Sequence, residues 1–223
     1  MKPKHIAIIP DGNRRWAKRH GMDAASAYEI GIDHIGDVLK WCRKHGITTL
    51  TMWGFSTENF MRDKREVSSL FSLFNRKLSE ELKKDYAKHG VRVRFLGRIS
   101  SFPKDVQEKM RKAERETAKN GKYLLNLMLA YGGRNEIIDA VNAALRSGAK
   151  KMDEKKFSSL LYLADSPDLV IRTSGEVRTS GFLPWQSAYS EFYFSKKLWP
   201  DFDEKEFRRA LADYSKRKRR YGR

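Results

Sequence analysis

Cysteine is almost missing from this 223-residue chain: Cys42 stands alone. That excludes an internal disulfide framework and a cysteine-rich metal site, and it fits a reducing, cytoplasmic compartment. No apolar run approaches the roughly 18 residues of a spanning helix, and the short polar start lacks the pattern of a signal peptide. Any contact with a bilayer is therefore expected to be peripheral. The five histidines, His5, His20, His34, His45 and His89, show no metal-ligand spacing. Neither GxGxxG nor GxxxxGKS/T occurs, which leaves a dinucleotide fold or a P-loop without its usual support, and no serine sits in a GxSxG elbow. Acidic residues are also short: 46 Lys and Arg face 28 Asp and Glu, a formal net charge of +18. Such a balance favours anionic partners, whether nucleic acid, phospholipid or phosphorylated small molecules, without choosing among them. The tail "YSKRKRRYGR" concentrates the excess and also reads as a solvated basic end.

What the chain does have is a regular alternation. Apolar runs bounded by turn residues recur at 5–10, 49–55, 91–97, 123–132, 168–175 and 190–195, with helix-length segments between them. Tyr28, Ile32, Ile35, Leu39 and Cys42 follow a 4-3-4-3 spacing that places them on one helical face. A second amphipathic segment runs from Glu66 to a stop at Gly90, a third begins near Pro103, and a fourth ends at Gly148. The last, from Asp201 onward, opens on acids and closes on bases, matching a helix dipole. Strands alternating with helices predict an α/β fold: a single, mostly parallel sheet flanked by helices, with residues 1–223 forming one domain.

In open α/β sheets ligands bind beyond the carboxyl ends of the strands, and there the polar clusters fall. "DGNRRW" supplies Asp11, Gly12, Asn13 and two phosphate donors, Arg14 and Arg15. Asp11 would repel a phosphate unless a cation lay between them, and magnesium accepts carboxylate and phosphate oxygens together. The segment also reads as an Asp-Gly turn with surface arginines. "FSTENFMRDKRE" contributes Ser56, Asn59, Arg62 and Glu66, able to orient a diphosphate or a departing proton, or simply to cap a turn. "VIRTSGEVRTSGF" sets Arg172 and Arg178 six residues apart around a turn, with Glu176 between them and Ser180 beyond, so that two guanidinium forks could wrap a diphosphate. Glu191, at the start of the next strand, is either a second metal carboxylate or a surface acid. The faces carrying Tyr28 and Ile32, and Leu70, Phe71 and Phe74, suit either packed core or the wall of an apolar tunnel.

Taken together, "DGNRRW", "FSTEN", "YGGRNEI" at 131–137, "RTSGE" with Arg178, and "WQSAYSEF" at 185–192 resemble the cis-prenyltransferases, the undecaprenyl diphosphate synthase-like family. The resemblance covers nearly the whole chain. It implies a homodimer whose subunits each combine a parallel sheet with a hydrophobic tunnel, using Mg2+ to add isopentenyl diphosphate to an allylic diphosphate with cis double bonds. On that resemblance Asp11 serves the allylic centre and, with Glu191, the metal. Gly12, Asn13, Arg14 and Arg15 hold the allylic diphosphate, while Arg172, Arg178 and Ser180 bind isopentenyl diphosphate. Arg220 and Gly222 reach the neighbouring subunit's site, Ser56 and Asn59 position the condensing substrate, and Trp16, Tyr28, Arg62, Glu66 and Glu176 support the rest. A long product would bring peripheral membrane contact to an otherwise cytoplasmic enzyme. Four positions depart from the family's common pattern: Ala24, Tyr28, Val177 and Gly181 stand where arginine, histidine, a polar residue and asparagine are frequent. The loss of cations on the allylic side leaves irregular, non-head-to-tail coupling open as an alternative. A nucleic-acid-binding module, suggested by the charge and five tryptophans, is the rival class.

Overall fold

The computed structural model describes residues 2–81, 86 and 89–217. Every one of the six apolar runs forms a strand: β1 (His5–Ile9), β2 (Thr49–Trp53), β3 (Val91–Leu96), β4 (Tyr123–Met128), β5 (Leu169–Arg172) and β6 (Glu191–Phe194). They make one sheet in the order β3-β4-β2-β1-β5-β6, and every ladder is parallel. β1 shows why: Ile6 and Ile8 enter one apolar cluster while Ala7 and Ile9 enter another. A strand buried on both faces needs helices above and below, and helical crossovers enforce parallel pairing.

The helices are α1 (Asn13–Arg19), α2 (Ala24–His45), α3 (Lys64–Glu81), α4 (Lys104–Thr117), α5 (Gly133–Arg146), α6 (Glu154–Leu160) and α7 (Glu204–Lys216). α2, roughly 33 Å long at 1.5 Å per residue, starts on Asp23, whose side chain accepts from the Ser26 amide, and stops at Gly46 in a left-handed conformation. The expected helix face points inward, with Leu39 and Cys42 buried and Tyr28 and Ile35 packed against the core. α7 has the expected polarity, with Glu204 and Glu206 in its first turn and Lys216 in its last. α6 was not legible: its seven residues carry too few apolar positions to show a period. Among the described residues no helix is long and apolar enough to cross a membrane.

One buried polar chain crosses the strands. His5 Nε2 lies 2.8 Å from Thr51 Oγ1, which also accepts from Asn126 Nδ2 at 3.1 Å. Burial pulls the His5 imidazole down to about 4, against the attraction of Asp165 and Asp168. An unfolded histidine takes its proton near 6.5, so between those values the unfolded chain binds more protons than the folded one. The contribution of the neutral ring is complete above pH about 6.5 and is lost as pH falls toward about 4, at most about 3 kcal/mol. The His5→Gln variant should therefore show a flatter dependence of its urea midpoint on pH across that window. A slope equal to that of the parent chain would rule this assignment out.

Candidate active site

β1 sits between β2 and β5, and the loops leaving the carboxyl ends of these three strands face one another. Asp11, Asn13, Ser56, Asn59, Arg62, Arg172 and Arg178 line one pocket there, so the three predicted clusters do converge. A neighbouring pocket is lined by Asp11, Gly12, Asn13, Arg14, Arg15, Lys18, Tyr28 and Arg62. Behind both lies an apolar cavity of about 110 Å³, walled by Ile32 and Ile35 of α2, Leu70 and Phe74 of α3, and Met52, Val93 and Leu127 of the sheet. Pro10, Asn13 and Tyr28 border all three spaces. A polar head and an apolar tail can thus be held side by side.

Asp11 is fixed through both its backbone and its side chain. Its carbonyl accepts from the Trp199 amide at 3.0 Å and the Thr173 hydroxyl at 2.7 Å. Its Oδ2 accepts from Arg172 Nη2 at 2.9 Å and faces Arg15 Nη2 at 3.3 Å. Burial works against the charged carboxylate, yet Arg172, the neighbouring Ser174 hydroxyl and Arg15 together outweigh it and hold the Asp11 carboxyl below its ordinary range. Gly12 precedes α1 with φ +113°, and a Cβ there would come within 2.8 Å of the Leu198 side chain. Only glycine suits that position.

Arg172 was expected to offer a fork to a diphosphate, but the structure turns it inward. Its side chain is 6% exposed, and its Nη1 donates to the Arg178 carbonyl at 2.6 Å and to Ser180 Oγ at 2.8 Å. It ties Asp11 to the loop after β5, whose Ser174 and Ser180 carry φ of +84° and +52°. Non-glycine residues in that region are strained and persist only where surrounding bonds over-determine them. Arg178 is the exposed fork, and Glu176 accepts from both Arg178 and Arg15, at 2.5 and 3.1 Å. Carboxylates and arginines therefore alternate around the rim.

On the opposite side Asn59 Oδ1 accepts from the Ser56 amide at 3.0 Å, so the turn-closing role foreseen for Asn59 is present beside its place in the pocket. Tyr28 donates to Glu66 at 2.8 Å and accepts from Arg62 at 2.7 Å, and Arg62 pairs with Glu66 at 3.1 Å. Burial pushes the Tyr28 phenol up to about 12, against the pull of Arg62. Tyr28 is thus a neutral hydroxyl that steadies a cation at the rim. Trp16 donates to Asp201 at 2.7 Å and pins α1 from behind.

Glu191 departs from its expected pairing with Asp11. It opens β6 opposite Leu169, which lies level with Ile6, so it sits three strand residues, roughly 10 Å, below the rim where Asp11 stands. Its carboxylate accepts from Arg217 at 2.7 Å instead. A parallel ladder puts the first residue of a strand at the end away from the carboxyl rim, which spacing in sequence cannot reveal. Arg220 and Gly222 lie outside the described residues. No group of three His, Cys, Asp or Glu side chains among the described residues could cage a metal. Asp11 alone fits a hard cation that takes one carboxylate and draws its other oxygens from a substrate phosphate, as Mg2+ does.

Leu198 and Trp199 carry no signal in the sequence, and Thr173 and Ser174 stand out there only as part of the turn after Arg172. Trp199 Nε1 donates to the Gly31 carbonyl at 2.8 Å, fastening α2 to the rim. A Cβ at Gly31 would stand 2.6 Å from Asn13 Oδ1 and 3.0 Å from the Trp199 ring. Replacing a mid-helix glycine by alanine ordinarily stabilises by up to about 1 kcal/mol. Here overpacking against a buried indole outweighs that gain, and Gly31→Ala should destabilise by about 1–3 kcal/mol. Thermal unfolding checks the sign.

Residues 9–222 match the family model described as "Putative undecaprenyl diphosphate synthase". An isoprenyl transferase of Thermotoga maritima is 46% identical over 226 residues, covering 99% of this chain and 97% of that protein. The tritrans,polycis-undecaprenyl-diphosphate synthase (geranylgeranyl-diphosphate specific) of Pyrococcus horikoshii is 44% identical, covering 99% and 87%. Among solved structures, lavandulyl diphosphate synthase from Lavandula x intermedia, in complex with dimethylallyl diphosphate, superposes with a TM-score of 0.93 at 34% identity, covering 100% of this chain and 99% of that one.

Proposed function

The chain belongs to the undecaprenyl diphosphate synthase family of prenyltransferases, and from that premise we propose that it condenses isopentenyl diphosphate with an allylic prenyl diphosphate, cis and head-to-tail. The observation that carries this proposal is the position of Asp11 between two arginine-bearing pockets that both adjoin one apolar cavity. Residues 1–223 act as one catalytic unit.

Arg14, Arg15 and Asn13 orient the allylic diphosphate and Arg178 that of isopentenyl diphosphate, with Ser56 and Asn59 beside the carbon that loses its proton. Arg172 and Ser180 act one step back, setting the shape of the Arg178 loop. Asp11 would hold magnesium together with diphosphate oxygens. When bound, the ion neutralises charge on the departing diphosphate. Arg15 and Arg178 are charged beforehand and held by Glu176, Arg15 also by Asp11, so their stabilisation of the leaving group costs little reorganisation. The apolar cavity, extended as the chain grows, forms the tunnel, and a long product provides the route to peripheral membrane contact.

The homodimer is also a proposal. Ile138, Val141 and Leu145 form a stripe on α5 exposed at 55, 40 and 70%, a face suited to a second copy. A metal role for Glu191, and a diphosphate role for Arg220 and Gly222, would both belong to a site completed between subunits.

Irregular coupling stays as the second possibility because Tyr28 supplies no charge of its own on the allylic side. Incubation with Mg2+, excess isopentenyl diphosphate and allylic primers, followed by NMR of the dephosphorylated alcohols, tests both. Longer alcohols with cis double bonds are expected. Irregular products dominating, or no elongation, would overturn the proposal.

A further inference from the structure

The apolar cavity has two kinds of wall. On one side Met52, Val93 and Leu127 belong to strands locked by continuous ladders. On the other, α2 and α3 are joined along their outer edge by charge. Arg76 places its two Nη atoms 2.8 Å from the two oxygens of Glu29, and Lys77 Nζ reaches Asp33 at 2.5 Å and Glu29 at 3.3 Å. Arg76 above all, with Lys77, draws the Glu29 carboxyl down to about 2. Lys77 is 12% exposed and lines the cavity, whereas Glu29 and Arg76 line a groove on the outer face with Ser68 and Ser72. Glu29, Arg76 and Lys77 thus stand between the two spaces, with Asp33 bonded to Lys77.

A cavity of about 110 Å³ is well below the roughly 300–1,000 Å³ of pockets that enclose a drug-sized ligand. A chain growing by five-carbon steps outgrows it, and the ladders cannot yield without breaking hydrogen bonds. The side that can yield is the one held by ion pairs near solvent, which are individually weak and gain strength as a network. We propose that the Glu29, Asp33, Arg76 and Lys77 clasp is a product-length determinant: it limits how far α3 parts from α2, and a chain too long for the cavity leaves through it into the outer groove. This rests on the elongation activity proposed above.

Two double variants test it, Glu29→Gln with Asp33→Asn, and Arg76→Gln with Lys77→Gln. None of these residues touches the diphosphate pockets assigned above to Asp11 and the rim arginines. Each protein is supplied with Mg2+, a labelled allylic primer and isopentenyl diphosphate, and the dephosphorylated products are separated by length. Both variants should give a modal product longer by at least one isoprene unit, and in the Glu29→Gln with Asp33→Asn variant, whose residues line neither the diphosphate pockets nor the cavity, the single-turnover rate of the first addition should stay within about twofold of the parent. Arg76→Lys keeps the charge and loses the bidentate fork. It should shift the distribution less, and it carries the test should either double variant fail to fold. An unchanged or shorter distribution in the folded variants overturns the clasp. A parent protein that elongates nothing would instead refute the elongation proposal, so the two failures are distinguishable.

Discussion

Asp11→Ala is expected to lower turnover by on the order of 10²-fold or more while leaving the binding of isopentenyl diphosphate much less affected. Asp11 is the carboxylate shared by both polar pockets, and it is held below its ordinary range, so it remains charged throughout the neutral region. Removing it takes away the oxygen ligand proposed for the cation and leaves Arg172 Nη2 without its acceptor. Asp11→Asn separates these losses, because an amide oxygen can still accept from Arg172 but brings no negative charge for a metal. Turnover with saturating Mg2+ should therefore be nearly as low in Asp11→Asn as in Asp11→Ala, with the thermal midpoint closer to that of the parent. Near-parental turnover in either protein would refute the role given to Asp11.

Arg172→Lys should be costly although it conserves charge. One guanidinium serves Asp11, the Arg178 carbonyl and Ser180 Oγ, and an ammonium cannot meet three acceptors in that fixed plane. Hydrogen bonds to charged groups are worth about 1.5–3 kcal/mol, so the KM for isopentenyl diphosphate should rise by roughly 10-fold or more. The allylic KM should change much less, since Arg14 and Arg15 belong to the other pocket. Arg172→Ala removes the buried partner of a pair whose carboxylate is 30% exposed and should also destabilise the fold, by less than the about 3–5 kcal/mol of a fully buried pair, which makes the lysine variant the cleaner probe. Equal effects on both substrates would show that the loop after β5 does not discriminate between them.

The placement of the six strands, and the direction of the sheet, followed from sequence because the apolar runs are short, evenly bounded and separated by helix-length segments. A continuous run such as Ile6 to Ile9 has little choice but to be buried on both faces. The three rim clusters were legible for the same reason: once the strands are parallel, the residues after each strand share one edge. α6 escaped detection because seven residues do not complete two turns of a readable period.

By itself the sequence determined the α/β class, the rim on which Asp11, Arg62 and Arg178 stand, and the preference for anionic partners. These are consequences of local pattern and net charge, which need no knowledge of neighbours. Tertiary structure alone decided which charges point where. It turned Arg172 inward to organise a strained loop, made Tyr28 the bridge between Arg62 and Glu66, and brought Trp199 from far along the chain to hold Asp11 and Gly31. It also set Glu191 at the opposite end of the sheet and drew Glu29 and Arg76, 47 residues apart, into one clasp. The physical reason is range. Periodicity and capping act within a few turns of chain, whereas an ion pair or a buried hydrogen bond is specified only when two distant segments meet at a distance of about 3 Å.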